Sequence, residues 1–198
     1  GIAQGFHQRG VLFAQDGVPF ADADGFSDFQ GVDPLSARYI EVYKGANALR
    51  YGGASLGGAI NFVTPSGRDA PLAAFSLDLG SFGFARSQAQ AAGAKGSWDA
   101  FVTASAQRAD GFRDHSDGHT FRGSANVGYR IAPDIETRFY FNGNTVRQRI
   151  RGSVTKFSAL TRPQTAAVNS VLNDHQRNID TLRFANKTTA RFGNTTVE

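Results

Sequence analysis

From Leu72 onward the sequence alternates apolar and polar residues with a period of two, which no helix tolerates and which restricts this part of the chain to strands with two unlike faces. Phe75, Leu77 and Leu79 alternate with Ser76 and Asp78; Ala85, Ser87, Ala89 and Ala91 with Arg86, Gln88 and Gln90. Ala100, Val102, Ala104 and Ala106 alternate with Asp99, Thr103, Ser105 and Gln107, with Phe101 an exception inside the polar set. Phe121, Gly123, Ala125, Val127 and Tyr129 oppose Arg122, Ser124, Asn126 and Arg130, and Ile135, Thr137, Phe139 and Phe141 oppose Glu136, Arg138, Tyr140 and Asn142. A last run sets Leu182, Phe184, Thr188, Ala190 and Phe192 against Arg183, Lys187 and Arg191.

The connections between these runs alternate too. Tight turns are predicted at 95–97, 132–134 and 193–194, and links of growing length at 81–83, 109–119 and 147–178. Strands of about ten residues, with long loops at one end and short turns at the other, fit an outer-membrane β-barrel, whose lipid and water sides demand opposite faces. A soluble meander or sandwich shares the alternation. Arg or Lys recurs in the polar sets of four of the six runs, and a water-filled or plugged lumen accommodates that better than the flank of a small sandwich.

The first 71 residues are different in kind. They hold 5 Lys+Arg and 7 Asp+Glu, net −2, against 16 and 10, net +6, in residues 72–198; the sums recover the 21 and 17 of the whole chain. Thr64–Pro71, with two Pro and a Gly, is the natural boundary, so the sequence divides into 1–71 and 72–198. With no Met and Gly at position 1, it reads as a piece of a longer or processed chain. The absence of Cys excludes disulfides, thiolate metal sites and a Cys nucleophile. No apolar stretch approaches the roughly 18 residues of a spanning helix.

IEVYKGANALRYG (40–52) followed by GGAINFVTPSG (57–67) closely resembles the C-terminal half of the plug domain of TonB-dependent outer-membrane receptors. VLFAQDGVPF (11–20) and GVDPLSARYIEVYKG (31–45) resemble earlier blocks of the same domain in the same order. GSFGFARSQAQAAG (80–93) is similar to the family's first barrel hairpin, and QRADGFRDHSDG (107–118) to its second outer loop. The resemblance implies a mainly β fold, part of a mixed α/β plug followed by about six antiparallel strands of an expected barrel of about 22. It further implies a transporter and no enzyme, in the outer membrane of a Gram-negative bacterium. Expected partners are TonB of the TonB–ExbB–ExbD complex, through a segment upstream of residue 1, and outer-membrane lipid and lipopolysaccharide. The expected cargo is a ferric siderophore, with no cofactor and no resident metal; haem, cobalamin, copper and oligosaccharide receptors share the scaffold.

On this resemblance the plug apex offers Phe20, Asp22, Asp24 and Phe26 to ligand, and the outer loops and lumen offer Arg86, Arg113, Arg147, Arg149 and Arg151. The long outer loop is basic, with Asp174 alone opposing its cations, which suits a chelate with carboxylate, catecholate or hydroxamate oxygens. Arg38, Glu41, Lys44 and Arg50 fall where the family's plug locks against the barrel wall, Lys44 toward a barrel carboxylate beyond residue 198.

Other motifs have ordinary explanations. Gly53–Gly57 satisfies G-x-S-x-G, but a nucleophile at Ser55 needs a helix after it, and AINFVT is strand-like. His115 and His119 lie four apart in a Gly-containing loop, and Asp110, Asp114 and Asp117 lack EF-hand spacing. A sequence pI of about 9.7 suggests nucleic acid, but binding it would require aromatics on a polar sheet face, where few lie.

Overall fold

The computed structural model describes residues 10–20, 32–51, 57–193 and 195–197. They form two sheets. The small one has the order β2-β1-β4-β3, from Val11–Gln15 (β1), Val18–Pro19 (β2), Tyr39–Lys44 (β3) and Gly58–Val63 (β4). β1 runs parallel to β4, and β3 antiparallel to it. Asp16 and Gly17 close the β1–β2 hairpin with φ of 54° and 85°, the left-handed pair that a two-residue turn requires. Asp33 caps a 3-10 turn at Pro34–Ser36 by accepting the Leu35 N–H at 3.2 Å, and a second 3-10 segment runs over Gly45–Tyr51.

Both faces of the small sheet are apolar. Leu12, Ala14, Ala48 and Ala59 form one buried cluster, with Tyr43 and Tyr51 against it, and Phe13, Phe20, Val32 and Phe62 form the other.

The large sheet follows chain order without a crossover: Ala73–Leu79 (β5), Ala85–Lys95 (β6), Trp98–Ala109 (β7), Gly118–Ala132 (β8), Ile135–Arg149 (β9), Gln176–Phe192 (β10) and Thr195–Val197 (β11). Every predicted alternating run is a strand, and every pairing is antiparallel. The faces sort as the period of two demands. On β7, Asp99, Phe101, Thr103 and Ser105 are buried toward the small sheet while Trp98, Ala100, Val102 and Ala106 are exposed. Phe101 keeps the parity of the polar set and is the most completely buried large side chain, at 1% exposure. Outward, Phe75, Leu79, Phe139, Leu182 and Phe184 form part of a broad apolar surface. Trp98 and Tyr129 stack at its turn end, ring centroids 4.5 Å apart. No helix among the described residues is long and apolar enough to cross a membrane, which leaves strands unaffected.

Three features exceed the sequence reading. β9 and β10 run further than their alternation suggests, so Arg147, Arg149 and Arg177 lie on strands rather than in the loop between them. That loop carries two short helices, Lys156–Thr161 (α1), capped by Thr155, and Val168–Leu172 (α2). β11 adds an unpredicted strand, too short for periodicity to reveal.

Candidate functional site

The sheets meet through polar side chains, because each presents what the other lacks. The small sheet's ends carry Gln15, Asp16, Asp33 and Thr64, and the large sheet's inner face is lined with amides, hydroxyls and ion pairs. Gln15 donates to Ser124 Oγ at 3.1 Å, both buried. Asp33 takes Ser105 Oγ at 2.5 Å on one oxygen and the Arg86 guanidinium on the other, leaving its carboxylate, 7% exposed, paired from the barrel-like side. Arg183 donates to the Pro19 carbonyl at 3.0 Å and lies over the Phe20 ring.

Below this contact the linker lies directly on the strands. Asn126 Nδ2 donates to Thr64 Oγ1 at 3.1 Å and to the Pro65 carbonyl at 3.0 Å. Asp99 accepts the Gly67 N–H at 3.0 Å and a bidentate pair from Arg138 at 2.8 and 2.9 Å. Arg138 also donates to Asn126 at 2.6 Å and pairs with Glu136 at 2.8 Å. Such a charge pair holds only because the remaining donors and acceptors are satisfied around it. Two glycines make the room: a Cβ on Gly128 would strike the Arg138 guanidinium, and one on Gly67 would strike the main chain of Gly93 and Ala100.

Asp16 anchors the other side of Thr64, accepting its N–H at 2.8 Å and its hydroxyl at 2.9 Å. Burial dominates over these hydrogen bonds and raises the Asp16 carboxyl to a pKa of about 6.

At the opposite end the three loops form one rim. The Asp110 N–H reaches the Phe82 carbonyl at 2.9 Å, the Asp114 N–H reaches the Gln164 carbonyl at 2.7 Å, and Arg113 donates twice to the Thr165 carbonyl, at 3.0 and 2.7 Å. Under this rim lies a cavity of about 380 Å³ whose lining includes Gln107, Arg113, His119, Arg122 and Arg151. Its described walls carry several cationic side chains and no Asp or Glu. A cavity of this size and sign suits a small oxygen-rich anion.

The structure distributes the expected site residues among different tasks. Asp22, Asp24 and Phe26, together with Ser55 and the Arg50 side chain, lie outside the described residues. Phe20 is buried in the small sheet's core at 8% exposure, because the β1–β2 hairpin turns it inward and Arg183 covers it. Arg86 holds Asp33. Arg113, Arg147 and Arg151 border the cavity, Arg113 while tying two loops together. Arg147 pairs with Asp180 at 2.6 Å, and Arg149 with Asp117 at 3.3 Å and Asp174 at 3.4 Å, so three carboxylates oppose these cations where Asp174 alone was expected. Sequence distance hides Asp180 and Asp117, which register brings alongside.

Of the expected lock, Arg38 pairs with Asp69 in the linker at 2.8 Å, and Glu41 accepts from Asn61 within the small sheet at 2.8 Å. Lys44 is exposed at the end of β3. Among the described residues, the ties between the first part and the large sheet include Gln15, Asp33, Asn126, Asp99 and Arg183, with Arg138 holding Asp99 from behind. Their signal was present, as charged and amide residues in the polar sets and the Asp33-Pro34 step, but periodicity names a face and not a partner. His115 is held against the His175 carbonyl at 3.2 Å while His119 starts β8, and no cluster of three or more metal-ligating side chains occurs among the described residues.

Residues 2–59 match the TonB-dependent Receptor Plug Domain family. The rhizobactin receptor of Rhizobium meliloti (strain 1021) is 36% identical over 152 residues, which is 71% of this chain and 19% of that one. Among solved structures, the ferric-catecholate import receptor Fiu of E. coli K12 superposes with a TM-score of 0.71 at 15% identity, over 96% of this chain and 30% of its own. The ferripyoverdine receptor of Pseudomonas aeruginosa bound to ferripyoverdine gives 0.60 at 18%, over 92% and 26%. The chain thus spans about a fifth of its curated relative and under a third of these structures. Members of the family are outer-membrane receptors and transporters, not enzymes. A plug-type sheet docked on consecutive antiparallel strands, with the plug family's sequence in its first part, places the chain among the TonB-dependent receptors.

Proposed function

We propose that the protein carrying this chain takes up a ferric siderophore across the outer membrane of a Gram-negative bacterium, in a TonB-dependent manner, with residues 1–71 as plug and 72–198 as the first barrel strands. The carrying observation is the basic cavity beneath the knitted outer loops, walled on its inner side by Arg122, next to the plug contact. Anionic chelating oxygens would be met there by guanidinium donors. The 36% identical rhizobactin receptor supports a siderophore as the cargo. TonB, powered through ExbB and ExbD, would act on the plug, and the outward apolar face would contact lipid and lipopolysaccharide. The chemistry is binding and gating, with no bond made or broken and no cofactor. Of the candidate contacts, Arg113, Arg147 and Arg151 line the cavity, Arg147 while paired with Asp180, whereas Arg86 is engaged by Asp33 and Arg149 by Asp117 and Asp174.

The test is accumulation of ⁵⁵Fe by a receptor-deficient, iron-starved strain expressing the full-length protein, with a TonB deletion as control. Ferric rhizobactin uptake that disappears without TonB is the expected result. Uptake of haem, cobalamin, copper or an oligosaccharide in its place would overturn the siderophore assignment and keep the transporter.

A further inference from the structure

Arg122 borders two spaces. It lines the outer cavity with Arg113 and Arg151, and it also lines the narrow gap between the sheets with Gln15, Asp33, Ser36 and Asn142. On β8 its side chain shares the inward face with Ser124 and Asn126, both of which hold the plug, and it lies within electrostatic reach of Asp33 and Arg86. Asp33 is therefore the plug carboxylate toward which two barrel guanidiniums are drawn, one of them, Arg86, in direct contact. The gap is not fully satisfied, since the Asn142 Oδ1 and Arg86 Nε are buried without a hydrogen-bond partner.

We propose that Arg122 is shared between ligand and plug: an anionic chelate in the outer cavity competes with Asp33 for its guanidinium, so that filling the cavity loosens the Asp33 end of the plug–barrel contact. One cation serving two anions makes the two equilibria oppose each other. Linkage requires the effect to be reciprocal, so weakening the plug's claim on Arg122 must strengthen the ligand's. A residue that merely holds the barrel together gives the opposite sign, because its loss disorders the cavity wall.

This inference rests on the siderophore reading above, and a thermodynamic cycle separates the two. Ferric rhizobactin is titrated into the purified full-length receptor and into its Asp33→Asn, Arg122→Gln and doubly substituted forms. Asn at 33 still accepts the Leu35 N–H, so the 3-10 turn keeps its cap while the charge is gone. The expected result is that Asp33→Asn tightens binding about fivefold, at the lower end of common coupling factors, and that this gain vanishes when Arg122 is Gln. Unchanged or weaker binding by Asp33→Asn, or the same fivefold gain in both backgrounds, would overturn the sharing of Arg122 while leaving the siderophore reading intact. A wild-type receptor that ignores ferric rhizobactin overturns both.

A second measurement guards against misfolding. In a Cys-free background with Ser36→Cys, whose native side chain is buried at 4% exposure, ferric rhizobactin should speed maleimide labelling in the otherwise native receptor and leave Arg122→Gln unaffected. Equal acceleration in both would sink the proposal.

Discussion

The plug sheet and the barrel sheet are built on opposite rules. β1 and β4 bury Leu12, Phe13, Ala59 and Phe62 on two dry faces, as a water-soluble domain does. β7 to β10 turn Val102, Phe121, Phe139 and Phe184 outward and bury Thr103, Asn126, Arg138 and Asn144. The hydrophobic effect acts in both, but it sorts residues by what lies outside, and on the proposed outer-membrane reading that is hydrocarbon for the barrel sheet. The two sheets consequently adhere through directional hydrogen bonds rather than apolar area. Such a joint is specific when every partner is present and fails abruptly when one is removed.

Substitutions in the two kinds of interior put that contrast to the test. Phe62→Ala in the plug and Asp99→Ala in the barrel lumen are each expected to cost about 3–5 kcal/mol, the first by leaving a cavity and the second by stranding the Arg138 guanidinium and the Gly67 N–H. Denaturant titration of the full-length receptor should show them comparable; a near-neutral Asp99→Ala would mean that the joint is not held by charge. Next in size is Phe184→Arg on the outward face, at about 2–4 kcal/mol if the residue lies near the bilayer midplane, against little for the same change on a solvated sheet. Membrane-assembly yield measures it, and a neutral outcome would remove hydrocarbon from the comparison.

Asp16 supplies a third difference. Its folded pKa of about 6 exceeds the ordinary 3.8, so the folded state binds the proton more strongly than the unfolded chain. The plug should therefore be most stable below about pH 4 with respect to this group and lose on the order of 2–3 kcal/mol as pH rises to 6 and beyond. Asp16→Asn should flatten that dependence in a pH series of unfolding curves. Gly67→Ala, whose Cβ would meet main-chain atoms of Gly93 and Ala100, is expected to cost at least about 1–3 kcal/mol from crowding, visible as faster proteolysis of the linker.

Much of this was legible in the residues. Alternation named the strands and their faces correctly down to Phe101, whose parity placed it inward despite its apolar ring. The spaced blocks from Val11 to Gly67 identified the plug. What alternation cannot supply is pairing across the molecule. Arg147 reads as a loop cation until register puts it beside Asp180, and Asp33 reads as a turn residue until the barrel brings Arg86 and Ser105 to it. The outer cavity was legible as a surplus of arginine but not as a shape, because long loops carry no period.

Gly67 has a consequence for how such a sequence can diverge. Its neighbours across the contact are main-chain atoms of Gly93 and Ala100, which no substitution can trim. Elsewhere a bulky replacement in one partner can be compensated by a smaller one opposite; here there is nothing opposite to shorten. Sequence drift at this position is arrested from both sides, and the descendants of this chain are expected to vary freely around a glycine that stays.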